Sequence, residues 1–150
     1  TFIGSLPQGF KFVNSQHLSP QSGTKLADSI RKNHIYLTAS QNEPAGMHHI
    51  EGAMCGLPLL YRESGALPEY CKHFGVSFTE QNFEQKLQEM IDTYPYWVEK
   101  MSEYPYTSDH MCEQYYQSCL RLLDQRSEIL ARRNRSRWLF QSIRMLLSKR

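Results

Sequence analysis

Glu43 and Glu51 are separated by seven residues, Gly46 among them, in the segment SQNEPAGMHHIEGAMC that covers residues 40–55. A carboxylate accepts well from two neighbouring hydroxyls, and it is a poor neighbour for a phosphate. Backbone N–H groups at a helix start have the opposite preference. They are unpaired and sit at the positive end of the helix dipole, so they stabilise a phosphate without a basic side chain. Gly46 would let the main chain approach such a ligand closely. If a helix starts near Gly46, Glu51 lies roughly 7 Å along it, at ~1.5 Å per residue. This pattern suits a ligand with a diphosphate in the middle and a hydroxyl pair at each end, as in a nucleotide-diphosphate sugar. Glu51 would then hold ribose and Glu43 the transferred sugar. Each acid alone reads as a solvated side chain; only the pair bracketing a glycine at a strand–helix junction points to a site.

The flanking elements must put these residues in one place. HIYLTA (34–39) is a compact β-branched and aromatic run, expected as a buried strand. MHHIEGAMC (47–55) is expected as a helix with Gly56 at its C-cap, followed by a strand over 57–61. A loop with Ser64, Gly65 and Pro68, a short helix over 69–73 and a strand over 76–78 follow. Upstream, a strand over 2–4 and an extended stretch over 10–18 precede a loop punctuated by Pro20, Ser22 and Gly23. Thr24 is the expected N-cap of a helix running to Lys32, with Leu26, Ala27 and Ile30 on one face and Asn33 as its stop. Strands alternating with helices predict βαβ units and a parallel sheet covered on both faces. In such sheets ligands bind beyond the carboxyl ends of the strands, which is where 40–46 falls. After residue 80 the pattern turns helical, over 83–94, 95–104 and 108–150. The division expected is a sheet domain over 1–93 followed by a helical layer with a basic amphipathic tail over 94–150.

The stretch SQNEPAGMHHIEGAMCGLPLLYRESGALPE (40–69) resembles the donor-site region of glycosyltransferase family 4, also called group 1. The features in common are Glu43 and Glu51, a small-residue helix, Cys55-Gly56-Leu57-Pro58, and Gly65-Ala66-Leu67-Pro68-Glu69. The preceding TKLADSIRKNHIYLTAS is similar to the family's approach to this site. The resemblance spans 1–93 and is dense over 34–70. It implies a Rossmann-like fold, the C-terminal half of a GT-B enzyme, which transfers a hexose-like sugar with retention to a glycan or lipid-linked acceptor. It implies donor contacts by Glu43, by the backbone amides of Gly46, Met47 and His48, and by Glu51. Glu43 would be the catalytic-site acid, and the loop over 18–21 would meet the base. The donor is a substrate, and no cofactor or metal is implied. Pro44 and Ala45 depart from the family's Gly and aromatic, and Gly52 departs from its usual Ala. The family also uses a Lys/Arg pair early in this domain and an acceptor-binding domain before it. The opening TFIGSLP reads as the end of a strand, so the chain is expected to be the C-terminal part of a longer protein, inactive without its N-terminal half. The alternatives are a non-catalytic nucleotide-sugar-binding module and a GT-B sugar epimerase.

Other features lead less far. His48 and Glu51 have a chelating spacing on one helix but no third ligand, and His49 is expected to pack or be solvated. Ser40, His48 and Glu51 could be assembled as a triad, yet no G-x-S-x-G elbow exists. Tyr94, Tyr96, Trp97, Tyr104 and Tyr106 could stack on carbohydrate, but helix packing is the expected use. Cys55, Cys71, Cys112 and Cys119 show no zinc-like spacing and read as reduced thiols of a cytosolic protein. No apolar run reaches the ~20 residues that span a bilayer. Residues 121–150 hold nine Lys/Arg against Asp124 and Glu128, while 1–120 hold eight against thirteen acids. In the tail, Trp138, Leu139, Ile143, Leu146 and Leu147 share a face among arginines. That pattern fits a helix lying on an anionic membrane surface, at the inner face, or one docking on the N-terminal domain. Nucleic acid is not the expected partner.

Overall fold

The computed structural model describes residues 1–133. The tail residues from Trp138 to Leu147 named above lie outside them. The organising element is β4 (Leu59–Arg62), which pairs in parallel with β3 (Tyr36–Thr38) on one side and β5 (Gly75–Phe78) on the other. Tyr36 stands opposite Leu59, and Leu60 opposite Val76. Successive side chains of a strand point to opposite faces. Accordingly Leu59 and Tyr61 join one core cluster, with Ala53, Leu67, Cys71, Phe74, Met101 and Tyr104. Leu60 joins the other, with Val76, Phe78 and Met90. An uninterrupted apolar run is what a strand covered on both faces requires, and LPLLY has it.

Helices cover both faces. The first cluster takes side chains from α2 (His48–Met54), α3 (Leu67–Cys71) and the 3-10 turn Met101–Glu103. The second takes them from α4 (Phe83–Asp92), with Trp97 of α5 (Tyr94–Lys100) packed against it. Full burial of a leucine stabilises by ~1.5–3 kcal/mol, so Leu59, Leu60 and Leu67 are principal anchors. Gly75 opens β5 because a Cβ there would come within 1.7 Å of the Leu59 carbonyl oxygen. α1 (Gly23–Ile30) ends where Asn33 Nδ2 donates to the carbonyls of Ser29 and Ile30, at 2.9 and 3.1 Å. Its N-cap is Ser22 rather than the expected Thr24.

Two features differ from the sequence reading. The extended stretch over 10–18 forms a strand only at β2 (His17–Leu18), which pairs in parallel with β1 (Phe2–Ile3). Phe10 and Phe12 gather with Phe2 in an aromatic group instead of alternating along a ladder. The strands therefore form two separate parallel sheets, β1-β2 and β3-β4-β5. The first compact unit also runs to Thr107, past the boundary read at residue 93. Trp97, Met101 and Tyr104 bury their side chains against the sheet and carry α5 and the 3-10 turn with them. The second unit begins at Ser108 and contains α6 (Ser108–Asp124) and α7 (Arg126–Arg132). Among the described residues, no helix is long and apolar enough to cross a membrane.

Candidate functional site at the carboxyl edge of the sheet

Each strand of the three-stranded sheet ends in a loop at the same edge. Two of these loops are tied together by hydrogen bonds from main-chain N–H groups. Asn42, in the left-handed region at φ 52°, donates its N–H to Ser64 Oγ at 2.9 Å. Asparagine tolerates that conformation better than most residues. Ala66 N–H donates to the Glu43 carbonyl at 2.8 Å. Gly65 makes this approach possible, because a Cβ there would lie 2.5 Å from the Glu43 N and O atoms. The loop bearing Glu43 is thus held by the Gly-x-x-Pro-Glu segment of the next strand.

The Glu43 side chain folds back over Gly46. A Cβ at Gly46 would be 2.7 Å from Glu43 Cδ. Glu43 Oε2 also lies 3.8 Å from His48 Nε2. Among the described residues, no acceptor pairs with the backbone N–H groups of Gly46, Met47 and His48. The Met47 side chain is exposed. α2 starts at His48 rather than at Gly46, since glycine and proline are weak helix formers and Pro44-Ala45-Gly46 stays in the loop.

Glu51 lies on the exposed side of α2. Burial first, and then the Glu51 and Cys55 charges, push the Tyr36 phenol up to about 12. The Tyr36 ring stacks on His48, with centroids 6.1 Å apart, and lies against Gly52, where a Cβ would come within 2.3 Å of it. Alanine is excluded at position 52 for that reason. Glu43, Gly46 and His48 therefore meet at one spot with Met47 beside them, whereas no hydrogen bond or ion pair among the described residues joins the Glu51 side chain to that group.

Sequence reasoning missed several members of this edge. Tyr36 looked like one more core aromatic. Ser64 looked like a loop residue. Arg62, at the end of an otherwise apolar strand, pairs with Glu80 from the loop after β5; a charge closing the run LLYR was the available signal. His49 is fully buried, with neither ring nitrogen hydrogen-bonded. Burial, then the neighbouring His48 charge, lowers its pKa to about 4, against a smaller opposing pull from Glu43. Its ring packs between His48 and Tyr70, at 5.2 and 5.3 Å. Thr38 Oγ1, at the end of β3, is also buried without a partner. Among the described residues, no group of three or more His, Cys, Asp or Glu is arranged to hold a metal ion. No family model matches the chain, and no curated protein or solved structure matches it significantly.

Proposed function

We propose that the chain is the donor-binding half of a retaining glycosyltransferase of the GT-B type, acting on a nucleotide-diphosphate sugar. The observation that carries the reading is the division of the strands. A doubly wound dinucleotide-type sheet has the order 3-2-1-4-5-6, and ligands bind where the order reverses, between strands 1 and 4. Without strand 1, that order becomes a parallel pair and a parallel triplet, as in β2-β1 and β3-β4-β5. β3 then takes the role of strand 4, and the Glu43 loop that follows it lies at the reversal point. β3 is an edge strand, with β4 on one side of it alone. Strand 1 of that order would belong to this same donor-binding domain, while the acceptor site would belong to the other half of a GT-B enzyme.

On this reading the unpaired amides of Gly46, Met47 and His48 receive the diphosphate. The Glu43 carboxylate swings away from Gly46 to take the sugar hydroxyls, and Glu51 takes the ribose diol. The loop over 18–21 meets the base. The hexose-like sugar, the retention and the glycan or lipid-linked acceptor come from the family resemblance. Neutralising the departing diphosphate is the main electrostatic task of such a reaction. Arg62 is a cation at this edge and Glu80 already engages it. The chain alone is therefore expected to bind donor without transferring sugar.

Calorimetric titration with UDP-, GDP- and ADP-linked sugars tests this. At least one should bind, and Glu51→Ala should weaken it about tenfold or more, the worth of hydrogen bonds to a charged group. Glu51 is exposed, so the variant should stay folded. If Glu51→Ala leaves every nucleotide-sugar unaffected, the ribose assignment fails. If no nucleotide-sugar binds at all, the reading fails with it.

A further inference from the structure

We propose that a second cleft, at the amino edge of the sheet, binds a saccharide chain. Its volume is about 350 Å³, and Lys72, His73, Phe74, Tyr96, Trp97, Lys100 and Glu103 line it. That size lies at the small end of ligand sites, which run to ~300–1,000 Å³. Lys72 to Phe74 lead into β5, while Tyr96 to Glu103 come from α5 and the 3-10 turn. The cleft thus lies at the opposite ends of the strands from Glu43, shares no residue with that site and does not depend on its reading.

The lining combines aromatic surface with a charged rim. Phe74 is buried and meets Tyr104 edge-on at 4.9 Å. Trp97 is held in place, because its indole N–H donates to Thr93 Oγ1 at 3.0 Å and its ring packs on the core. Tyr96 meets Trp97 edge-on at 4.9 Å yet stays 54% exposed. Its ring is therefore accessible to a ligand in the cleft. On the rim, Lys100 Nζ donates to Glu103 Oε2 at 2.8 Å. This is a donor and an acceptor side by side, at the spacing of two adjacent hydroxyls.

A pyranose matches both parts. Its C–H face is apolar and lies flat on an aromatic ring, and its hydroxyls both donate and accept. A simple anion would waste the aromatic surface and face the Glu103 carboxylate. A lipid tail would meet the charged rim. Ordered aromatic side chains that already hold their conformation lose little freedom when they bind.

The test is titration of the full chain with maltohexaose, cellohexaose and chitohexaose, and with inorganic phosphate as the anion control, followed by calorimetry or ligand-observed NMR. At least one hexasaccharide should bind with a Kd of about 1 mM or tighter. Tyr96→Ala and Lys100→Ala should each weaken it about fivefold, and Glu43→Ala should leave it unchanged. Tyr96 and Lys100 are both solvent-accessible, so circular dichroism should report native folding in either variant. The proposal is overturned if none of the three saccharides binds at about 5 mM, if binding survives both cleft variants at full strength, or if phosphate alone occupies the cleft.

Discussion

His49 is the residue at which chemistry and stability meet most directly. It is buried as a neutral ring among His48 and Tyr70, with Glu43 near enough to exert a pull. In the unfolded chain its ring takes a proton near 6.5, whereas in the folded chain it refuses one until about 4. Between those values the unfolded state binds more protons. Stability is therefore complete above about 6.5 and drains away as the pH falls towards 4, by on the order of 2–3 kcal/mol. Urea midpoints at pH 7.5 and 5.0 should differ accordingly, and His49→Phe should flatten the difference. Equal midpoints for the native chain would refute the assignment. That Glu43 and Gly46 fall in the loop after β3, and Glu51 on the helix that follows, was legible in the sequence, because an apolar strand run and a small-residue helix flank them. The sequence could not separate His49 from His48: adjacent histidines look alike until the helix turns one to the core and one to the loop.

Among the elements, β4 and β5 set the frame, and two glycines near them work for different reasons. Gly75 has no room for a Cβ, since the Leu59 carbonyl fills the space. Gly56 has room but holds a φ of 85°. Gly75→Ala should therefore cost more than ~3 kcal/mol, through a backbone clash that no rotamer relieves. Gly56→Ala should cost only ~1 kcal/mol, the usual penalty for a left-handed residue. Chemical denaturation of the two variants checks both, and comparable losses would count against the steric account. The strands of this sheet were readable as elements, because HIYLTA and LPLLY are apolar runs bounded by turn residues. The stretch over 10–18 was not. Its apolar residues have the composition of a strand, yet Val13 stays exposed and the phenylalanines turn to Phe2.

On the scale of the molecule, the two sheets differ in strength. β1 and β2 pair over two residues each, whereas β4 is flanked on both sides and buried on both faces. Hydrogen exchange should find the amides of Leu59 to Tyr61 protected to near the global unfolding limit, and those of Phe2, Ile3 and Leu18 exchanging through local opening. Uniform protection across both sheets would show that they behave as one cooperative body. The alternation of strands and helices made the parallel class of the sheet legible from residue order alone. The interruption between the two sheets, and the division at Thr107, were not legible. The division at Thr107 depends on which side chains find cover, as Trp97, Met101 and Tyr104 do, rather than on any local propensity.

The fit of the Tyr36 ring against Gly52 also bears on how this sequence can drift over time. Whichever of the two positions gains volume, the other must give it up. Among descendants of the same ancestor, a bulky residue at one should accompany a small one at the other, so the two would vary as a linked pair.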